Sequence, residues 1–224
     1  MHITLDSIPQ PDLWQGALQK PALTLRGIAD SLPARIGQPF QWAQGQLLGE
    51  KWQPPQGWGG FYLLQLAFTL NPRSGQRVSQ ADFSLYLSPQ GQKRPVAFDA
   101  FPKEQLAERP LPVKLGLGPD FKLGDAEASL ASAETTLDFG HAIPVVRVDG
   151  LQEAHLRWRY TAHAKHPLTG SRRMLAVIAL PQGVSRALAA LELIVSAETH
   201  LGPLRLSPPE QEQDRLRFSI GEKA

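Results

Sequence analysis

Residues 154–180 read AHLRWRYTAHAKHPLTGSRRMLAVIAL, and their pattern decides the fold. Leu156, Trp158 and Tyr160 fall on one face, with His155, Arg157, Arg159 and Thr161 on the other. Strict alternation of this kind predicts a strand with one dry and one wet side. Met174 to Leu180 is an unbroken apolar run of strand length, which predicts a strand covered on both faces. Between them lies a polar loop holding Pro167 and Gly170.

The same rhythm runs outward from this pair. Tyr62, Leu64, Leu66, Phe68 and Leu70 share a face. Phe83, Leu85 and Leu87 alternate with Asp82, Ser84 and Ser88, and Leu191, Leu193 and Val195 with Glu192 and Ser196. Val113 to Phe139 carries shorter alternating pieces, Val145 to Val148 another, and Leu204–Leu206 and Leu216–Ile220 close the chain. Turn clusters such as Asn71–Gly75 and Ser88–Gly91 separate these segments. Roughly ten strands with turns every ~8–12 residues predict an all-β protein: a two-sheet antiparallel β-sandwich, immunoglobulin-like or jelly-roll-like in architecture. Long amphipathic helices do not recur between strands, which argues against a βαβ sheet.

Residues 1–59 are less regular. Prolines at 9, 11, 21, 33, 39, 54 and 55 interrupt any long helix. Asp12 to Leu18 reads as a short helix with Asp12 as cap, and Leu23–Leu25 as a short strand. The expectation is an irregular N-terminal wrap over 1–59 around a sandwich core over 60–224, one domain of 224 residues. Ala100 to Arg109 is the best remaining candidate for a helical turn. Ser207 to Asp214 reads as a polar loop. The predicted core comprises Leu64, Leu66, Phe68, Phe83, Leu85, Leu115, Leu156, Trp158, Tyr160, Leu175, Val177, Ile178, Leu191, Leu193 and Val195.

Composition bounds the chemistry. The chain has no cysteine, which excludes disulfides, thiolate metal sites and cysteine nucleophiles. It also excludes the Cys–Trp–Cys hallmark of true immunoglobulin domains. The first residues show no basic segment followed by an apolar one, and no apolar run approaches the ~20 residues of a membrane-spanning helix. The expected setting is the cytoplasm.

Charge is the strongest functional signal. Between Ala154 and Leu191 there is no Asp or Glu, while Arg157, Arg159, Lys165, Arg172, Arg173 and Arg186 are all present. Arg157, Arg159, Lys165, Arg172 and Arg173 therefore form the candidate partner-binding set, suited to a protein with an acidic surface or another anionic face. The competing reading is a solvated sheet face whose acids, Glu192 or Glu198, come from a neighbouring strand. The wet face has no interleaved aromatics, which argues against nucleic acid. Trp42, Trp52 and Trp58 supply a second candidate, an aromatic platform for a sugar or peptide; the plainer reading buries them.

Enzymatic signatures are weak. His163 and His166 have H-x-x-H spacing, but no carboxylate is near in sequence and the surrounding cations oppose a dication. Ser171 lies in T-G-S-R, ahead of a strand where a nucleophile elbow needs a helix. The Gly116–Pro119 and Gly57–Gly60 segments lack the helix or Lys-Ser/Thr of a phosphate cradle. No catalytic residue, metal or cofactor is implied. The expectation is a non-enzymatic binding or assembly module; a hydrolase assembled from distant residues is a further alternative.

Overall fold

The computed structural model describes residues 11–19, 31–44, 56–89, 91–105, 145–163, 167–199 and 202–221. The strand expected at Leu23–Leu25, the alternating run from Val113 to Phe139 with Leu115, and Trp52, Lys165 and His166 lie outside these residues.

Two antiparallel sheets pack face to face, as the alternation predicts. The first contains β1 (Asp12–Leu18), β2 (Leu32–Gly37), β3 (Phe40–Ala43), β4 (Trp58–Leu70), β6 (Val96–Phe101) and β10 (Gly170–Pro181). Its order is β1-β2-β4-β10-β6, with β3 also against β4. The second contains β5 (Arg77–Leu87), β7 (Glu104–Gln105), β8 (Val145–Asp149), β9 (His155–Thr161), β11 (Arg186–Thr199), β12 (Gly202–Leu206) and β13 (Arg217–Gly221). Its order is β12-β11-β5-β9-β8-β7, with β13 also on β11.

Each sheet is built on one long pair, β4 with β10 and β5 with β11. The inward faces make one continuous core. Leu64, Leu66, Phe68, Met174, Ala176 and Ile178 from the first sheet meet Phe83, Leu85, Leu156, Trp158, Leu191 and Leu193 from the second. Full burial of such side chains contributes about 1.5–3 kcal/mol each. Aromatic rings bridge the layers: Phe68 stacks on Phe83 at 5.5 Å and meets Tyr160 edge-on at 5.3 Å.

The described part of the N-terminal region is more regular than its prolines suggest. β1, β2 and β3 belong to the first sheet. Asp12–Leu18 is a strand, not a helix. Trp14 and Leu18, four residues apart, share a face under either periodicity; pairing along β2 decides between them. Pro39 merely divides the chain into two strands, β2 and β3, along the same edge of β4. Ala100 and Phe101 complete β6, and Glu104–Gln105 pair with β8, so the helical turn expected from Ala100 does not form over the described residues. Pro102 falls at this change of sheet and disfavours helical backbone at the preceding Phe101, which stays in β6. The acidic segment near the C-terminus forms a 3-10 helix, Glu210–Leu216. Its Glu212 accepts a hydrogen bond from the Trp14 indole N–H, fastening it to β1.

Candidate functional site

The outward face of the second sheet is built by the residues that alternate with the core. On β9 Leu156, Trp158 and Tyr160 are buried, so His155, Arg157 and Arg159 point out. Register then sets their neighbours. Arg157 lies between Asp149 of β8 and Ser84 of β5, and Arg159 between Arg147 and Asp82. His155 faces Tyr86, whose other neighbour is Ala190 on β11.

The turn from β8 to β9 makes this alignment possible. Gly150 has φ +88°, and a Cβ there would stand 1.8 Å from the His155 carbonyl oxygen. Only glycine fits such a close, left-handed position. The turn is also tied to the other sheet, since Gln152 N–H donates to Ala97 O and Ala97 N–H to Glu153 O, both at 2.8 Å.

Both outward arginines of β9 are met by carboxylates. Arg157 donates to Asp149 at 2.9 Å, and Arg159 donates through Nε to Asp82 at 3.0 Å. Arg147 adds a second cation to Asp149 at 3.4 Å. Gln80 donates to the other oxygen of Asp82 at 2.9 Å. The hydrogen bond from Arg157 holds the Asp149 carboxyl below its usual range, with the charges of the neighbouring arginines adding to it. Glu192 and Glu198 are not the partners of these arginines. They sit on β11, whereas β9 is flanked by β5 and β8.

One end of this face is apolar and aromatic. Tyr86 stacks on His155 with ring centroids 4.3 Å apart and planes 10° off parallel. The Tyr86 hydroxyl donates to Glu192 Oε2 at 2.8 Å. Partial burial raises the Tyr86 pKa, and that hydrogen bond to a carboxylate raises it further. Leu188 follows one step along β11, 51% exposed beside a Tyr86 that is 39% exposed. Among the described residues these are the two large hydrophobic side chains left in solvent. Arg157 Nε and His155 Nε2 are buried atoms without a hydrogen-bond partner beside them.

The basic set divides between the sheets. Arg157 and Arg159 share the outward face of the second. Arg172 and Arg173 lie on β10 of the first, opposite Phe68 and Ala67 of β4. Lys165 lies outside the described residues. The sequence reading did not single out Tyr86 or Leu188, and named Glu192 only as a partner for the arginines; alternation marks all three as outward, but only the order β11-β5-β9 brings them onto one face.

The tryptophans fall elsewhere. Trp14 is core. Trp42 and Trp58 are partly buried against Phe61, Leu63, Leu175, Val177 and Ala179, a second apolar cluster. These residues have the parity opposite to the core residues of β4 and β10, so the cluster lies on the outward face of the first sheet. Ser171 Oγ lies 2.8 Å from Thr69 Oγ1 in an exposed position. The described residues contain no group of three His, Cys, Asp or Glu side chains arranged to hold a metal ion.

The sequence matches no protein-family model, and no curated protein matches it. Several solved structures are similar in architecture. One is described as a pore forming protein, at 6% identity and TM-score 0.41, covering 92% of this chain and 94% of that one. A second is the NetB toxin of Clostridium perfringens in its membrane inserted form, at 8% identity and TM-score 0.37, over 91% and 92% of the two chains. A third is the Clostridium perfringens delta-toxin, at 7% identity and TM-score 0.37, over 92% and 87%. At these identities the likeness concerns β-sheet architecture alone and assigns no activity to this chain.

Proposed function

We propose that the protein is a non-enzymatic binding module that takes a protein partner on the outward face of its second sheet. The observation that carries this reading is the exposure of Tyr86 and Leu188 on one face of adjacent strands, Tyr86 stacked on His155 and Leu188 one same-face position from Ala190, the neighbour of Tyr86, with Arg157 and Arg159 on the next strand. An exposed tyrosine next to arginines is the composition of protein-binding hot spots, and Leu188 adds exposed apolar area on the same face.

The chemistry favours a protein surface over a uniformly anionic one. Arg157 and Arg159 are already engaged by Asp149 and Asp82, so a polyanion would compete with two internal carboxylates. A partner that places an apolar side chain against Leu188 and Tyr86 meets no such competition. Acidic groups at its rim would reach Arg147, which is 73% exposed at its side chain. This keeps an acidic partner but moves the anchor from charge to the aromatic row.

The test compares the wild-type chain with Leu188→Asp and with a Tyr86→Ser/Leu188→Ser pair. Each is immobilised and exposed to extract of the producing cell. Proteins captured by wild type and lost from both variants are then purified and titrated against the full chain by calorimetry. Micromolar or tighter binding that drops at least tenfold in the variants supports the reading. An unchanged capture set rejects it. Loss of self-association alone, read by sedimentation, would make the occupant a second copy and reject the hetero-partner.

A further inference from the structure

Arg172 differs from the other arginines of the candidate set. It has the parity of Met174, Ala176, Ile178 and Leu180, all core residues of β10, so it approaches the sandwich interior at the end of the strand. Its cross-strand neighbour is Phe68. The Phe68 ring lies 5.3 Å from the ring of Tyr160, which comes from the facing sheet. Arg172 and Tyr160 are therefore brought together across the end of the core, and each feels the charge state of the other.

Each group has one buried polar atom without a hydrogen-bond partner. The Tyr160 side chain is 1% exposed, and its hydroxyl has no hydrogen-bond partner. The Nε of Arg172 is likewise buried without one. The two terminal nitrogens of Arg172 donate to Ser171 O at 2.8 Å and Pro167 O at 3.4 Å. These carbonyls hold the guanidinium in place but carry no charge to balance it. No carboxylate among the described residues pairs with it, in contrast to Arg157 and Arg159. Burial pushes the Tyr160 phenol above its ordinary range, which keeps it a neutral donor, and burial also disfavours the charged form of Arg172.

Buried polar groups in native proteins almost always have partners, and the exceptions need a reason. The unmet groups here are one cation with an N–H and one phenolic O–H, so both want an acceptor and one wants negative charge. Arg172 is only half-buried and its terminal nitrogens reach solvent; water can meet each group singly, whereas an anion meets the hydroxyl and the guanidinium together. A metal ion is repelled. We propose that Arg172 and Tyr160 form a binding site for a single oxyanion group, phosphate or carboxylate, at this end of the sandwich. The guanidinium is tethered by the Pro167 and Ser171 carbonyls, so little ordering remains to be done on binding. The site is separate from the Tyr86–Leu188 face and stands or falls without it.

Thermal unfolding of the full chain tests this. Titrations use sodium phosphate, sodium acetate and sodium chloride at matched ionic strength and pH 7. Phosphate stabilises many proteins weakly by exclusion from their surfaces, so saturation and the variants decide. A specific site gives a midpoint that rises and levels off with free ligand. The expected result is a saturable rise with phosphate, with acetate or with both. Arg172→Met abolishes it, Tyr160→Phe weakens the apparent affinity at least threefold, and Arg205→Gln, at an exposed position of β12, leaves it in place. A response to phosphate alone assigns a tetrahedral oxyanion, and one to acetate alone a carboxylate. A rise that never saturates, or one equal in wild type and Arg172→Met, overturns the proposal. Tyr160→Phe removes only an unpaired hydroxyl and should fold at least as well as wild type in chloride. It keeps the test decisive should Arg172→Met not fold; an undiminished affinity in Tyr160→Phe then rejects the site.

Discussion

The two sheets have equivalent inward faces and opposite outward ones. Along β10 every residue from Met174 to Leu180 is buried, because the outward positions Leu175, Val177 and Ala179 join a second apolar cluster. Along β9 the outward positions are His155, Arg157 and Arg159, all partly exposed. The first sheet is covered on both sides along Met174–Leu180, and the second meets water on its outward face. The difference is already written in the sequence as a continuous apolar run against a strict alternation. It teaches that the inner layer specifies the sandwich, while the outer layers decide which surface is left for recognition.

The sharpest way to break this comparison is to place the same charge on each outward face. Val177 is 1% exposed and lies opposite Asp99 of β6. Val177→Asp therefore buries a second carboxylate beside the first, and should cost about 3–5 kcal/mol, the usual size of an uncompensated buried charge. Leu188→Asp on the second sheet, at a side chain half in solvent, should stay within about 0.5 kcal/mol. Urea unfolding of both variants at pH 7 measures the contrast. Equal losses would show that the two outward faces are not different environments.

Gln65 sharpens the picture of the covered face. It has the parity of Phe61 and Leu63, pairs with Leu175, and is 1% exposed. Both atoms of its amide lack a hydrogen-bond partner. An unmet buried polar group of this kind costs about 1–3 kcal/mol. Gln65→Met, close in shape and without the amide, should raise stability by about 1–2 kcal/mol. A loss of stability instead would mean that the amide is satisfied in solution.

What was legible in the sequence follows the same division. Alternation identifies β5, β9 and β11 and their core residues because each has one wet face that breaks the apolar pattern, and β4 by its even-numbered apolar residues, although its other face is largely buried too. The run Met174–Leu180 reveals a doubly covered strand, but not what lies on its second side. Asp12–Leu18 reads as a helix because Trp14 and Leu18 are spaced by four, a multiple of the strand period and close to one helical turn; pairing with β2 settles it. The charge window from Ala154 to Leu191 is real in sequence, yet it does not make one basic face. Arg157 and Arg159 find Asp149 and Asp82 through strand order, and Arg172 belongs to the other sheet. Neither strand order nor register is encoded in a single strand's pattern, so the Tyr86–His155–Leu188 row and the Arg172–Tyr160 pair emerge only from the fold.

The smallest effect concerns the arginine ladder, and its sign is fixed by Asp149. The hydrogen bond from Arg157 depresses the carboxyl below its ordinary value near 3.8. In the unfolded chain the group takes up its proton first as pH falls. The stabilisation is therefore complete above the unfolded value and is lost as pH drops through the lower, folded one. Both partners are about one-third exposed, so water and salt screen the pair and its worth is about 0.2–1 kcal/mol. Arg157→Gln should remove that increment at pH 6 and flatten the acid limb of stability below pH 4, while 0.5 M sodium chloride, roughly a 4 Å screening length, should blunt the wild-type limb towards the variant. An acid limb that is identical in wild type and Arg157→Gln would mean that Asp149 is not held by Arg157, and that the outward face of the second sheet is less ordered than its core.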